Sequence, residues 1–132
     1  MKKEHKENFI RALAESNEEE RKRIHFFHDI YEIMDEEHEY RCCCEEMSEL
    51  TQALLKYMRK DLHLFPEGRK KLAECREKII DEIADVYNTL DSLKIMFGKD
   101  EVNAAIDRKI NKYIAILPEI KEGKSKQLKG AQ

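Results

Sequence analysis

The chain has 132 residues, 40% charged and 41% hydrophobic, with 4 Gly, 2 Pro, no Trp and a net charge of -3. That length suits one domain with a modest core, and a chain rich in Glu, Lys, Leu, Ile and Ala with few breakers favours an all-helical protein. No global basic field recruits nucleic acid, no apolar run approaches the ~20 residues of a spanning helix, and nothing after Met1 looks like a signal peptide, so the expectation is a soluble cytoplasmic protein without nucleic-acid or membrane partners.

In chain order, the first amphipathic segment covers about 4–15 and carries Phe9, Ile10 and Leu13. Ser16-Asn17 interrupts it, and Asn17 ahead of Glu18-Glu19-Glu20 reads as an N-cap with an acidic first turn. The next helix spaces Ile24, Phe27, Tyr31 and Met34 three and four apart, which predicts one buried side. Asp35-Glu36-Glu37 marks a bend, with no Gly or Pro in it. A central helix follows from about Glu37 to Lys60, roughly 36 Å long at 1.5 Å per residue.

His63-Leu64-Phe65-Pro66-Glu67-Gly68 is the clearest loop. The second long helix, about Arg69 to Phe97, carries a stripe of Leu72, Cys75, Ile79, Ile83, Val86, Leu90, Leu93 and Phe97, with Gly98 as its stop. A last helix, about Asp100 to Leu117, is expected to bury Val102, Ile106, Ile110 and Tyr113 or Ile114 and to end before Pro118. The Lys- and Gly-rich end is expected to be disordered. The organisation so predicted is an N-terminal helical extension (1–16), a helical domain (17–118) and a disordered tail (119–132). The fold class is all-α, a four-helix-bundle-type core with an extra N-terminal helix. Cys44, Leu55 and Met58 on the central helix, and Ile80 and Tyr87 on the next, form second apolar faces that a chain of this size has little to cover. Self-association into a homo-oligomer, dimer or tetramer, is therefore expected.

Cys42, Cys43 and Cys44 are consecutive and Cys75 stands alone. Adjacent helical positions point about 100° apart and cannot share one zinc ion. Cys43 and Cys75 read as small core residues, whereas Cys42 lies on the face of Glu46 and Glu49. The five histidines are scattered, and only His25 and His28 share a face, which reads as helix surface.

Two acidic pairs carry the chemistry. Glu46 and Glu49 border an apolar arc of about 80° made by Cys43, Met47, Leu50, Leu54 and Tyr57. Glu82 and Asp85 stand in the same way beside Ile79, Ile83, Val86, Leu90 and Leu93. If the two helices pack antiparallel through these arcs, four carboxylates converge on one cleft. Carboxylates at a core edge must be compensated. Hard oxygen donors suit Mg²⁺, with Mn²⁺ as a substitute, at ~2.0–2.1 Å, and a second ion would fit ~3.5–4 Å away. Lys56 and Arg59 beyond Glu49, and Arg108, Lys109 and Lys112 on the last helix, are available to steer phosphates. Taken singly, a Glu-x-x-Glu pair or any of these cations is usually a solvated helix face.

The segments 45–56 (Glu-Glu-Met-Ser-Glu-Leu-Thr-Gln-Ala-Leu-Leu-Lys) and 81–90 (Asp-Glu-Ile-Ala-Asp-Val-Tyr-Asn-Thr-Leu) resemble the MazG-like nucleotide pyrophosphohydrolases of the all-α NTP pyrophosphatase superfamily. Their signature is Glu-Glu-x-x-Glu, a variable spacer and Glu-x-x-Asp. The similarity spans roughly residues 24–116. The resemblance implies a helical bundle completed by oligomerisation, with Mg²⁺ held by Glu46, Glu49, Glu82 and Asp85. It implies hydrolysis of a nucleoside triphosphate to the monophosphate and pyrophosphate, often to clear non-standard nucleotides. Glu45 would assist a ligand or a water, and Lys109 and Lys112 match a basic pair that clamps phosphate. Asn88, a turn after Asp85, would face the same cleft.

The chain departs from that pattern at Asp35-Glu36-Glu37 and Tyr40-Arg41, where relatives commonly have a Gly-containing turn and a Gln, and at Cys42-Cys43-Cys44. These departures bear on substrate choice more than on reaction type. Three other readings compete: a phosphoribosyl-ATP pyrophosphohydrolase, a helical interaction module with solvated acids, and a di-iron carboxylate bundle. The last would need Glu-x-x-His pairs that the chain lacks.

Overall fold

The computed structural model describes residues 1–130. Six helices follow one another: α1 (Lys3–Glu15), α2 (Glu18–Met34), α3 (Glu36–Tyr57), α4 (Lys60–Leu64), α5 (Gly68–Phe97) and α6 (Lys99–Gly130). They divide into two compact units, Met1–Phe97 and a second that begins at Gly98. Among the described residues no helix is long and apolar enough to cross a membrane.

In the first unit Phe9, Ala12, Ile24, Phe27, Tyr31, Ile95 and Met96 form the core, with Leu13, Tyr40 and Leu93 packed against it. α1 is thus a core element rather than an extension. The buried line His5, Phe9 and Ala12 follows helical spacing, whereas Ile10 points to solvent. The apolar pattern alone centres this face on Phe9, Ile10 and Leu13, because histidine is polar by composition. Burying His5 is tolerated since its Nδ1 lies 2.7 Å from the Tyr31 hydroxyl. The Asn8 amide donates to the Met96 carbonyl at 2.7 Å and fixes α1 along α5.

α2 starts with the expected cap: the Glu20 amide donates to Asn17 Oδ1 (2.9 Å) and the Asn17 amide to Glu20 Oε2 (3.2 Å), a reciprocal capping box. Its core positions Ile24, Phe27 and Tyr31 are buried, but Met34, at the last residue, is 47% exposed. The bend at 35 is a single residue. Asp35 ends α2 and caps α3, accepting from the His38 amide at 2.9 Å. Its φ of 123° and ψ of 176° lie in a region that glycine favours.

α3 stops at Tyr57, short of Lys60, and a one-turn helix, α4, with Leu62 buried, begins at Lys60 and takes in His63 and Leu64, the first two residues of the expected loop. A Cβ at position 68 would collide with the Leu62 backbone, so only glycine lets α5 begin this close to α4. α5 runs antiparallel to α3. Ser92 donates to the buried Glu39 carboxylate at 2.8 Å, Glu46 meets Glu82, and Ala53 and Cys75 line one cavity. Of the predicted α5 stripe, Cys75 and Val86 are buried and Leu72, Ile79 and Leu93 half-buried, whereas Ile83, Leu90 and Phe97 are exposed. The face given to α3 is therefore rotated off the centre of the stripe, towards Glu82.

In the second unit, Gly98 (φ 104°) provides the turn and α6 starts with the Val102 amide donating to the Gly98 carbonyl at 3.0 Å. The helix does not end before Pro118. It passes through it to Gly130, so residues 119–130 are helical rather than a disordered tail, and 131–132 lie outside the described residues. Proline removes one donor from the ladder, but the flanking residues are mostly good helix formers, and Glu122 and Lys126 pair at 2.9 Å one turn apart. None of the described α6 residues is buried. Ile106, Ile110, Tyr113 and Ile114, expected as core, are exposed.

Candidate metal centre

α3 and α5 bring three of the predicted carboxylates together. Glu46, Glu49 and Glu82 each offer one oxygen, and these oxygens lie within 4.8 Å of one another. Glu46 is half-buried, Glu49 exposed and Glu82 only 1% exposed. The gradient follows helix geometry. Glu82 sits at the centre of the α5 face that meets α3, and Glu49 lies beyond the edge of the facing helix.

Glu82 is the unusual member. Lys78, one turn earlier, pairs with its Oε1, while Oε2 is buried with no hydrogen-bond partner among the described residues. A buried carboxylate left half-satisfied is costly. The Lys78 side chain is 61% exposed, so the one compensating charge comes from a flexible, largely solvated stem. The pairing with Glu82 holds the Lys78 ammonium above the ordinary lysine range.

Crowding is felt at Glu46 as well. Burial first, then the charges of Asp85, Glu49, Glu82 and Glu45, push its carboxyl above the usual carboxylate range. Asp85 is exposed and outside the close triad, yet it is the foremost of the charges acting on Glu46. Glu45 is exposed and Asn88 is exposed beyond Asp85. Cys42 contributes no thiolate. Its Sγ lies 3.3 Å from His38 Nε2, but burial and the neighbouring acids push the thiol up.

Lys56 and Arg59 line a cavity of about 370 Å³ between α3, α4 and α5, together with Lys71, Lys78 and Glu74. Arg59 is also held by Asp61, with Nη2–Oδ2 at 2.8 Å and Nε–Oδ1 at 3.2 Å. Lys109 and Lys112 stand exposed on α6, three apart, in the second unit. Lys71 and Lys78 do not stand out in so lysine-rich a sequence. The signal for Lys78 was its place four residues before an acidic ligand candidate, which puts the two side chains on one face.

The other edge of the α3–α5 pair differs in kind. Met47, Leu54 and Met58 on α3, and Ile83, Tyr87 and Leu90 on α5, are exposed. At about 100° per residue, both strips fall on the side of the antiparallel pair away from Glu49 and Asp85. The hairpin thus has an acidic edge and an apolar edge. Comparison with models of known protein families, with curated proteins and with solved structures finds no match to this chain.

Proposed function

We propose that this protein is a Mg²⁺-dependent nucleotide pyrophosphohydrolase, cleaving a nucleoside triphosphate to the monophosphate and pyrophosphate. The observation that carries the reading is the Glu46–Glu49–Glu82 triad with the orphaned, buried Glu82 Oε2. Such an arrangement is costly as it stands and is relieved by a cation. The donors are all carboxylate oxygens, and burial and the neighbouring acids push the Cys42 thiol up, which suits a hard divalent ion over a thiolate-bound one.

Glu46, Glu49 and Glu82 would hold the ion, with Asp85 completing the set directly or through water. When bound, the ion would neutralise phosphate charge and make a nearby water more acidic. Glu45, exposed on the outer edge, would take the proton of the attacking water. The water oxygen bonds to the α-phosphorus while the bond from that phosphorus to its bridging oxygen breaks, releasing pyrophosphate. Lys56 and Arg59 are the cations assigned to the phosphates, and Asn88 is assigned to the nucleotide. The apolar edge of Met47, Leu54, Ile83 and Tyr87 is the surface assigned to a second copy of the chain.

The test is pyrophosphate release from a panel of nucleoside triphosphates and phosphoribosyl-ATP, comparing wild type with Glu49→Gln and Asp85→Asn. The expected result is Mg²⁺-dependent release that both substitutions reduce by two orders of magnitude or more, roughly what loss of a transition-state charge contact costs. No release from any substrate by folded protein would refute the reading. Release from phosphoribosyl-ATP alone would move the assignment to that enzyme class.

A further inference from the structure

α6 carries an apolar stripe with a period of its own. None of its described residues is buried, and Ile106, Ile110, Tyr113, Leu117 and Ile120 are all exposed. They follow one another in steps of four, three, four and three residues. That average of about 3.5 is the repeat that keeps one seam turned towards a partner helix. The seam runs from Ile106 to Ile120, about 21 Å of helix, and Ile114 and Ile116 border it on either side. Pro118 falls outside the seam at 100° per residue, so the donor it removes is not at the contact.

The charges of α6 are sorted along its length. Asp100, Glu101 and Asp107 stand near its start, and Lys121, Lys124, Lys126 and Lys129 near its end. The helix dipole accounts for charges in the first and last turns only, so Asp107, Lys121 and Lys124 lie beyond its reach. An antiparallel copy of the same helix complements this order, because each acidic end then lies beside a basic end. A parallel copy sets acid on acid and base on base.

The seam also fits that direction in register. Antiparallel packing sets Ile110 against Tyr113 of the second copy and Ile106 against Leu117, each twice by symmetry. Asp100 then borders the seam beside Lys121 of the second copy, at both ends. Lys99 and Lys124 fall opposite each other beyond Ile120, and their like charges end the seam there. A lipid surface suits α6 less well. Glu101, Glu119 and Glu122 lie on the side away from the seam, where a helix resting on a membrane carries cations.

We propose that α6 is a self-association surface, an antiparallel helix pair that joins two copies of this chain through Ile106, Ile110, Tyr113 and Leu117. The contact is separate from the α3–α5 apolar edge and does not depend on the reaction proposed above.

The test uses the full chain with Met47→Glu/Tyr87→Lys, so that the α3–α5 edge is charged and does not supply the association. Sedimentation equilibrium over a range of concentrations is expected to read a dimer. Adding Ile110→Glu/Leu117→Glu is expected to leave a monomer at every concentration. The core of the first unit contains no α6 residue, so its thermal melting serves as the control for folding. A monomer before the α6 substitutions, or a dimer that survives them, would overturn the proposal.

Charge reversal tests the direction. Lys121→Glu sets two like-charged pairs in place of two opposite ones and is expected to weaken the dimer about tenfold. Asp100→Lys/Lys121→Glu is expected to restore it, and no restoration would overturn the antiparallel pairing. Flotation with vesicles of mixed anionic and zwitterionic phospholipid covers the other occupant. Binding to vesicles by a chain that stays monomeric in solution would assign α6 to a lipid surface and overturn the helix pair.

Discussion

Removing the Lys78 ammonium is the sharpest probe of the carboxylate cluster. Glu82 is 1% exposed, its Oε2 has no partner, and Lys78 holds its other oxygen. Lys78→Met keeps the aliphatic stem and deletes the charge, leaving a buried carboxylate with neither oxygen compensated by a cation. Breaking a fully buried ion pair costs about 3–5 kcal/mol. The Lys78 end of this pair is solvated, so the penalty falls on Glu82 alone, and a buried polar group left unsatisfied costs about 2 kcal/mol. For a chain of this size that is roughly 8 °C in Tm. The assay is thermal denaturation in EDTA and again in Mg²⁺. In EDTA the variant melts about 8 °C below wild type. In Mg²⁺ the gap narrows to less than half, because the ion replaces the lost charge and no longer displaces Lys78. Wild-type stability in EDTA would refute the claim that Lys78 neutralises Glu82. A gap of equal size with and without Mg²⁺ would refute the claim that a cation takes the same place.

The pH dependence at Glu46 has a definite sign. Its carboxyl is raised in the fold, so its stabilising contribution is present below the ordinary value of 4.5 and is lost as pH rises through the raised value. Without divalent cation, Glu46→Gln is therefore more stable than wild type at pH 7 and loses that advantage towards pH 4, as denaturant melts at the two pH values will read. Asp35→Gly removes a backbone strain worth about 1–3 kcal/mol and gives up only a few tenths of capping energy, so chemical denaturation is expected to show a gain of about 1 kcal/mol. Phe9→Ala empties a fully buried aromatic site and is expected to cost about 3–5 kcal/mol by the same measurement, a loss that an appended helix would not show. Met47→Glu with Tyr87→Lys places charge on the exposed apolar edge. Sedimentation velocity is expected to read an associated wild type and a smaller species for the variant, and equal masses would remove that edge as a contact between copies.

Helix period alone put Glu46, Glu49 and Glu82 on facing edges of α3 and α5, because charged pairs flanking an apolar arc define an angle as well as a sequence position. What it could not give was the rotation of α5, since Ile83, Leu90 and Val86 are equally apolar and only packing decides which of them is buried. That rotation is what sinks Glu82 and leaves its Oε2 bare. The role of α1 was hidden for a related reason. His5 is polar by composition and becomes a core residue only through Tyr31, 26 positions away. Asp35 was legible as a bend but not as a cap with positive φ, a conformation usually signalled by glycine. Pro118 signals a stop only locally, whereas the helix-forming residues on both sides carry α6 past it.

The central claim is that Glu46, Glu49 and Glu82 form one divalent-cation site, and calorimetric titration of the metal-free protein with MgCl₂ at neutral pH tests it most directly. Saturable binding is expected, weakened about tenfold or more by Glu49→Gln and abolished by Glu82→Gln. Absence of binding to folded wild-type protein, or equal binding in both variants, would contradict it.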